Sequence, residues 1–218
     1  MIEGTMRFYY SPGACSLASH VMLEEAGAVY EAEQVLVSKP NRENLSKRYL
    51  AVNPKGYVPA LEIEDRVLTE NAAIMLYIAH QYPQARLLPY DSLELAKCFE
   101  WLVWQTNTAH VVFAQLWRPE RFLDDEAQHS MLTDAAKPRV RKVLSDVETW
   151  LATHEYAAGT QYSIADGMFL ALYRWGWRAG ETMSTETCPA WTAYMKRVMQ
   201  RPAVVRVLKS ERVALLPA

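Results

Sequence analysis

Cys15 lies at the point where a short apolar run gives way to a helical pattern. Residues 7–10 are predicted to form a strand, and the Pro12 and Gly13 that follow are a strong turn signal. From Cys15 to Gly27 the apolar residues recur at helical spacing. The free N–H groups and the positive dipole end of this predicted helix would lie at Cys15. We therefore expect the thiol to tend towards thiolate, which is its reactive form.

The chemistry open to this thiol is that of a single cysteine. A dithiol redox pair needs a second cysteine three residues later, but that position is Ala18. Cys15 alone would form a mixed disulfide with a small thiol, or hydrogen-bond to a bound sulfur. Cys98 and Cys188 are widely scattered, which is not the pattern of a disulfide framework or a close-spaced zinc site. This usage predicts a reducing, cytoplasmic location and no metal.

The composition is that of an ordinary globular protein. The chain has 218 residues, of which 50% are hydrophobic and 22% are charged. Its formal net charge of −2 provides no basic field that would favour nucleic acid or an anionic membrane as a partner. Apolar runs stay below the ~18 residues that a spanning helix needs. Residues 1–5 lack the pattern of a signal peptide and are interpreted as an extension.

The first 83 residues alternate between strand and helix signals in a mixed α/β order. The order is strand, helix, strand, and then strand, strand, helix, which predicts a four-stranded mixed sheet with helices packed on it. The predicted strands cover residues 7–10, 30–37, 59–63 and 67–68, and the predicted helices cover residues 15–27 and 72–78. We interpret residues 84–91, which follow Pro83 and contain Pro89, as a linker between two domains.

Residues 92–218 have helical patterns throughout, which predicts an all-helical second domain. Ser92 is expected to cap its first long helix, and residues 125–154 are expected to form another, with Pro138 as a kink or break. Ser163 and Asp166 have the spacing of a capping box that opens a further helix. Pro189 suits the first turn of the next helix.

Four motifs occur in order over nearly the whole chain, and together they resemble the cytosolic glutathione transferase family of the bacterial beta class. They lie at residues 9–16, 53–61, 68–74 and 163–166. The resemblance implies a thioredoxin-like N-terminal domain and an all-helical C-terminal domain. It also implies glutathione as a cosubstrate, a small hydrophobic electrophile as the second substrate, and a homodimer.

The resemblance further implies which residues form the site. The residues expected near the reacting sulfur are Cys15, Tyr10, Ser16 and His110. Those expected to bind glutathione are Cys15, Lys39, Tyr57, Val58, Pro59, Glu70 and Asn71. Those expected to line the electrophile pocket are Phe113, Trp117, Tyr173 and Trp175.

Physical reasons accompany several of these expectations. A cis bond before Pro59 would let the backbone of Val58 pair with an extended tripeptide, in the manner of an added strand. Glu70 and Asn71 begin a predicted helix, whose N–H groups would receive a carboxylate. The Glu70 side chain would accept from an ammonium group. The side chain of Asn71 is bulkier than the Ser or Gly usual in the family, so the ligand contact is expected from its backbone N–H.

Three functions remain open from the sequence. The leading hypothesis is conjugation of the glutathione thiolate to hydrophobic electrophiles. The second is a thiol-disulfide oxidoreductase or peroxidase that works through a Cys15 mixed disulfide. The third is a non-catalytic binding protein, which is favoured by Val111 where the family commonly has Lys, and by Val103 where some members have Asn.

Overall fold

A four-stranded mixed sheet forms the N-terminal domain of the computed structural model, which describes residues 6–38, 40–180 and 183–215. Its strands are β1 (Met6–Tyr10), β2 (Tyr30–Gln34), β3 (Ala60–Ile63) and β4 (Arg66–Thr69). They lie in the order β2-β1-β3-β4. β1 is parallel to β2 and antiparallel to β3, which is in turn antiparallel to β4. The predicted mixed sheet is confirmed.

Helices cover the sheet and make up the rest of the chain. They are α1 (Ser16–Ala26), α2 (Lys47–Val52), α3 (Asn71–Gln81), α4 (Ser92–Trp104), α5 (His110–Trp117), α6 (His129–Leu151), α7 (Ile164–Arg178), α8 (Pro189–Val198) and α9 (Pro202–Glu211). A π-helical segment, Gln105–Ala109, joins α4 to α5. The predicted fold class, an α/β domain followed by a helical domain, is confirmed.

β1 is buried on both faces because it runs through the middle of the sheet. Phe8 and Tyr10 belong to the large core that includes α1 and α3. Tyr9 points to the other face, where it packs in a smaller cluster with Tyr49 of α2 and with Val58. The alternation of side chains along a strand produces these two environments from adjacent aromatic residues.

Several predicted boundaries differ from the structure. Asp91, rather than Ser92, caps α4, and its carboxylate accepts from two backbone N–H groups, those of Leu93 and Glu94. The helix predicted for residues 125–154 begins only at His129, after a short 3₁₀ turn. Pro138 lies inside α6 and does not break it. The strand predicted for residues 30–37 ends at Gln34.

α2 and α9 were not predicted, although each begins at a recognisable residue. The side-chain oxygen of Ser46 accepts from the N–H of Tyr49 and caps α2, which is only six residues long. Pro202 occupies the first turn of α9, where its missing N–H costs no hydrogen bond. Both signals are local. α2 is too short for its apolar spacing to stand out, whereas α9 buries Ala203, Val204 and Val207 on one face at helical spacing, a pattern that the sequence already contains.

α7 is the central helix of the molecule, and it packs directly on α1 of the N-terminal domain. The predicted capping box is confirmed: the hydroxyl of Ser163 accepts from Ala165 N, and the carboxylate of Asp166 accepts from Ser163 N. A Cβ at Gly167 would lie 3.3 Å from the carbonyl oxygen of Ala18, so the absence of a side chain lets the two helices approach closely. The start of α1 is thereby fixed relative to the helical domain.

The division into residues 1–83, 84–91 and 92–218 stays a prediction. Between α3 and α4 the chain forms one 3₁₀ turn, Pro83–Ala85. The interpretation of residues 1–5 as an extension lies outside the described residues. Within the ranges that the structure covers, every helix is too short or too polar to cross a membrane.

Candidate functional site

Cys15 immediately precedes α1, as predicted, and its thiol lies against the segment that contains Pro59. The Cys15 Sγ is 3.4 Å from the carbonyl oxygen of Val58, and the S–H group donates to it. The side chain is nearly buried, with 8% of the residue surface exposed. The thiol therefore sits between the first turn of a helix and a loop edge, rather than in open solvent.

The expectation that this thiol tends towards thiolate is wrong. Burial raises the pKa of Cys15 to about 11, from an ordinary value of 9.0. The backbone N–H groups of Ser16 and Cys15, the positive charge of Arg121 and the amide of Asn71 each lower the pKa, but less than burial raises it. At neutral pH the thiol is protonated and acts as a hydrogen-bond donor.

The peptide bond between Val58 and Pro59 is cis, which confirms the predicted isomer. The carbonyl oxygen before it, that of Tyr57, accepts from the hydroxyl of Tyr49 and from Nδ2 of Asn53, at 2.7 Å in both cases. The loop is thus held by side chains from the same domain, while the ring of Tyr57 remains half exposed.

Glu70 and Asn71 lie at the start of α3, but their side chains have different surroundings. Glu70 has a positive φ of 72° and an exposed carboxylate, whose Oε1 lies 2.8 Å from Nζ of Lys55. Asn71 is buried: its Nδ2 donates to the carbonyl oxygen of Cys15 and its Oδ1 accepts from the hydroxyl of Ser19. The Asn71 side chain therefore joins α3 to α1 beside the thiol.

Ser16 and Tyr10 are both turned into the protein. The hydroxyl of Ser16 is fully buried, accepts from Ser11 N and donates to the carbonyl oxygen of Ser11, so it closes the turn before α1. The ring of Tyr10 lies against His20 of α1, with ring centroids 4.9 Å apart. Both residues support the turn that carries Cys15. Their contacts are with Ser11 and His20, whereas the Cys15 thiol contacts Val58.

The helical domain holds the peptide groups of Gly13 in that same turn. The N–H of Gly13 donates to Oε2 of Glu211, at 2.8 Å. The carbonyl oxygen of Gly13 accepts from Nε1 of Trp175, at 3.1 Å, and from Nη1 of Arg174, at 3.3 Å. Gly13 has a φ of +64°, and an added Cβ would lie 2.6 Å from the guanidinium carbon of Arg174. The positive φ favours glycine here, and a larger residue would also displace the Arg174 guanidinium from its contact with the turn.

Glu211 also accepts from His20, whose Nδ1 lies 2.7 Å from Oε1 in a pair that is almost completely buried. Glu211 and its contact with His20 were missed as parts of the site, because Glu211 is separated from Gly13 by 198 positions and from His20 by 191. The only local signal was an acidic residue in the last turn of a helix. That position is unfavourable for a carboxylate next to the helix dipole and therefore indicates a specific partner.

A cluster of rings, which we call the aromatic wall, extends from this turn into the helical domain; it consists of His110, Phe113, Trp117 and Trp175. Phe113 is fully buried and packs behind Trp117 and Trp175. The ring centroid of Trp175 lies 5.0 Å from that of His110, 5.7 Å from that of Phe113 and 5.9 Å from that of Trp117. The prediction that Tyr173 lines the same pocket is wrong. Tyr173 is fully buried, and its hydroxyl donates to Thr192 of α8 on another face of α7.

His110 carries no charge at neutral pH. Burial is the largest cause that lowers its pKa, to about 4, and the nearby positive charge of Arg121 lowers it further, whereas Glu70 raises it. Arg121 was not predicted as a site residue. Its guanidinium lies over the ring of Tyr57, 4.6 Å from the centroid. Lys39 lies outside the described residues, so its predicted contact stays a prediction.

The described residues contain no cluster of three or more His, Cys, Asp or Glu side chains that would hold a metal ion. The arrangement that they do contain is suited to binding a thiol-bearing peptide next to a flat apolar compound. Cys15 and Val58 provide polar contacts at a loop edge, and the aromatic wall provides an apolar surface.

Comparison with known proteins agrees with this arrangement. The family model for the glutathione S-transferase N-terminal domain matches residues 13–81, and the model for the C-terminal domain matches residues 105–202. The chain is 35% identical, over 94% of its length, to the glutathione S-transferase GstA of Escherichia coli O157:H7, of which 98% is covered. This chain belongs to the glutathione S-transferase family.

Solved structures of this family have the same fold. A glutathione transferase homolog from Sulfitobacter, solved with bound glutathione, superposes with a TM-score of 0.89 at 28% identity, over 98% of this chain and 100% of the homolog. A bacterial beta-class glutathione S-transferase from Sphingomonas chungbukensis superposes with a TM-score of 0.81 at 33% identity, over 95% of this chain and 100% of that protein. The predicted family and its bacterial beta-class type are confirmed.

We predict that Glu211→Gln destabilises the protein through the turn that carries Cys15. Glutamate uses one carboxylate oxygen for the Gly13 N–H and the other for His20, whereas glutamine has one acceptor oxygen and no charge. The free energy of unfolding is therefore expected to fall by about 2–3 kcal/mol. Urea denaturation measures this change. Glu186→Gln, at an exposed position, is the matched control and is expected to change stability by less than about 0.5 kcal/mol. Equal midpoints for both variants would contradict the role of Glu211.

We also predict that Cys15 reacts slowly with alkylating reagents at neutral pH. Because burial raises its pKa from 9.0 to about 11, the thiolate fraction at pH 7 is about a hundredfold lower than that of an ordinary thiol. The rate of carbamidomethylation at Cys15, followed by peptide mass spectrometry, should still be rising above pH 10. A rate that reaches its plateau below pH 8 would mean that the thiol is an activated thiolate after all.

Proposed function

We propose that this protein conjugates glutathione to hydrophobic electrophiles in the cleft between Cys15 and the aromatic wall. The observation that carries the proposal is the contact of the Cys15 thiol with the Val58 carbonyl oxygen, at 3.4 Å, beside the start of α3. A loop edge with a thiol next to it is suited to an extended peptide that itself carries a thiol. The relative from Sulfitobacter, solved with bound glutathione, supports the same choice.

Glutathione is proposed to lie in extended form across the start of α3 and along Val58. Its γ-glutamyl carboxylate would accept from the backbone N–H groups at Glu70 and Asn71, since a helix N-terminus favours an anion. Its ammonium group would bind the carboxylate of Glu70, which it would share with Lys55. Its cysteinyl backbone would pair with Val58, with Tyr57 and Pro59 on either side, and Lys39 would bind the glycyl carboxylate.

Cys15 is proposed to stabilise the sulfur of glutathione by donating a hydrogen bond from its neutral thiol. The S–H group would turn from the carbonyl oxygen of Val58 to the thiolate of the ligand. His110, also neutral, would provide a polar group on the wall next to the electrophile. Tyr10 and Ser16 would act on catalysis only indirectly, through the turn that carries Cys15.

Conjugation is then a displacement or an addition at carbon. With a chlorinated nitrobenzene, the thiolate forms a sulfur–carbon bond, the carbon–chlorine bond breaks, and chloride leaves with the electron pair. The protein contributes by holding the thiolate and the ring in contact and by keeping the thiolate stable at neutral pH. The alternative, a Cys15 mixed disulfide, is less favoured, because attack on a disulfide requires a thiolate and burial keeps Cys15 protonated.

We further propose a homodimer, with one face of α4 in the interface. Leu93, Ala96 and Val103 are exposed and follow one another at helical spacing, so they share a face. Val67 of β4 is also exposed. The exposed Glu100 lies on the same face and interrupts it, but large exposed apolar side chains such as Leu93 and Val103 still favour a surface that is covered by a partner.

A cytoplasmic location is part of the same proposal. Cys15, Cys98 and Cys188 are all free thiols in the structure. A reducing compartment keeps such thiols reduced and also contains glutathione in its thiol form.

The conjugation proposal predicts millimolar or tighter binding of glutathione and turnover of 1-chloro-2,4-dinitrobenzene. Cys15→Ala is expected to lower kcat/KM by about tenfold, because one hydrogen bond to the thiolate is lost. Calorimetry measures glutathione binding, and absorbance measures the conjugate. Cys188→Ala, which removes another buried thiol, is the control and should leave kcat/KM unchanged. Absence of any binding at millimolar glutathione would refute the proposal.

Reduction of a small mixed disulfide by the same variants separates the two chemistries. Conjugation that survives in Cys15→Ala while disulfide reduction disappears would show that the oxidoreductase reaction also occurs. Loss of both reactions, with glutathione binding intact, would show that the thiol is essential rather than supportive.

The dimer proposal predicts that charges on the exposed face of α4 separate the subunits. The double variant Leu93→Asp with Val103→Asp would bury two carboxylates in the interface, which is strongly unfavourable. Light scattering after size exclusion should then give the mass of one 24.9 kDa chain instead of two. Met131→Asp, at an exposed apolar position on α6, is the control and should remain dimeric. A monomeric wild-type protein would contradict the proposal.

A further inference from the structure

Arg121 is a positively charged side chain next to the cleft that is not used in the ion pairs of its neighbours. Arg42 and Arg118 both contact Oε1 of Glu120, at 2.9 Å and 3.0 Å. None of the salt bridges among the described residues includes Arg121, which instead lies over the ring of Tyr57. Its guanidinium is exposed and keeps its hydrogen-bond donors available.

Backbone contacts and Arg118 fix the turn that carries Arg121 against the N-terminal domain. It ends the 3₁₀ turn Pro119–Arg121, directly after α5, and its N–H donates to the carbonyl oxygen of Arg118, at 3.0 Å. Nη1 of Arg118 donates in turn to the carbonyl oxygen of Val37 in the N-terminal domain, at 3.1 Å. Tyr57, on which the guanidinium stacks, directly precedes the Val58 that contacts Cys15.

The charge of Arg121 acts on both Cys15 and His110. It is one of the causes that lower the pKa of Cys15 and of His110. Because His110 is neutral, it adds no positive charge to that of Arg121. The aromatic wall begins on α5, immediately before Arg121 in sequence, with Phe113 and Trp117.

We propose that Arg121 binds an anionic group on the second substrate, so that the preferred electrophiles are flat aromatic compounds that carry a carboxylate or sulfonate. The ring of the substrate packs on the aromatic wall. The planar guanidinium binds the anion through two parallel hydrogen bonds, a geometry to which arginine is well suited. This inference rests on the conjugation proposed above. It assigns a specificity-determining role to Arg121.

The rival role for Arg121 is to hold the glycyl carboxylate of glutathione. The two roles differ in which Michaelis constant responds to a change at Arg121. A contact with the second substrate changes KM for anionic electrophiles only. A contact with glutathione changes KM for glutathione with every electrophile.

The test compares 4-chloro-3-nitrobenzoate with its uncharged analogue, 4-chloro-3-nitrobenzamide. In both reactions the glutathione sulfur bonds to the ring carbon that bears chlorine, and chloride leaves with the bonding pair. Arg121→Gln is expected to raise KM for the benzoate by about tenfold, the effect of one charged hydrogen-bonding contact. KM values for the benzamide and for glutathione should stay unchanged. Arg121→Glu should make the benzamide the better substrate.

Arg141→Gln is the matched control, since it removes one charge from an exposed arginine on α6. It should change none of the three constants. Equal effects of Arg121→Gln on the benzoate and the benzamide, or an effect on glutathione alone, would overturn the inference and leave the proposed function intact.

Binding of the two preformed aryl-glutathione conjugates provides a second measurement that does not need turnover. Calorimetry should give the wild type an affinity for the carboxylate conjugate about tenfold above that for the amide conjugate, and Arg121→Gln should abolish this difference. Similar affinities for both conjugates in the wild type would overturn the role of Arg121. Failure of both conjugates and of glutathione to bind would instead refute the proposed function, and with it the role of Arg121.

Discussion

The peptide groups of Gly13 are the point on which the site depends. Glu211 accepts from the N–H of Gly13, and Trp175 donates to its carbonyl oxygen, so α9 and α7 together fix the turn that carries Cys15. The contacts are buried, where an unpaired peptide group or carboxylate would be costly. The position of the thiol is therefore a property of both domains and not of the N-terminal domain alone.

The packing that positions Cys15 also decides its protonation. A helix N-terminus stabilises a nearby negative charge by about 0.3–1 kcal/mol. A rise of the Cys15 pKa from 9.0 to about 11 corresponds to roughly 3 kcal/mol against the thiolate. Desolvation therefore exceeds the sum of the helix terminus, Asn71 and Arg121. A helix start therefore does not activate a cysteine that packing has desolvated, as it has Cys15 beside Val58.

Apart from α2 and α9, features encoded within a few residues were predicted from the sequence, and those that depend on distant residues were not. The order of strands and helices and the capping box at Ser163 each have a local signal, and the cis bond before Pro59 was expected from the resemblance of residues 53–61 to the family motif. Glu211 reaches Gly13 across 198 positions, and no local pattern indicates such a contact. Tyr173 shows the same limit, because an aromatic residue on an apolar helix does not reveal which of two packed faces it occupies. Burial, and hence the Cys15 pKa, is likewise a tertiary property.

The two domains are joined on both sides of the thiol. On one side the Gly13 turn is attached to α7 and α9, and on the other Arg118 and Glu120 hold the segment after β2 through Val37 and Arg42. A network of partly buried charges contributes more than an isolated exposed pair, because its members restrict one another. With both sides attached, hinge motion between the domains is restricted. Differences in substrate preference must then come from side chains that line the cleft rather than from its opening.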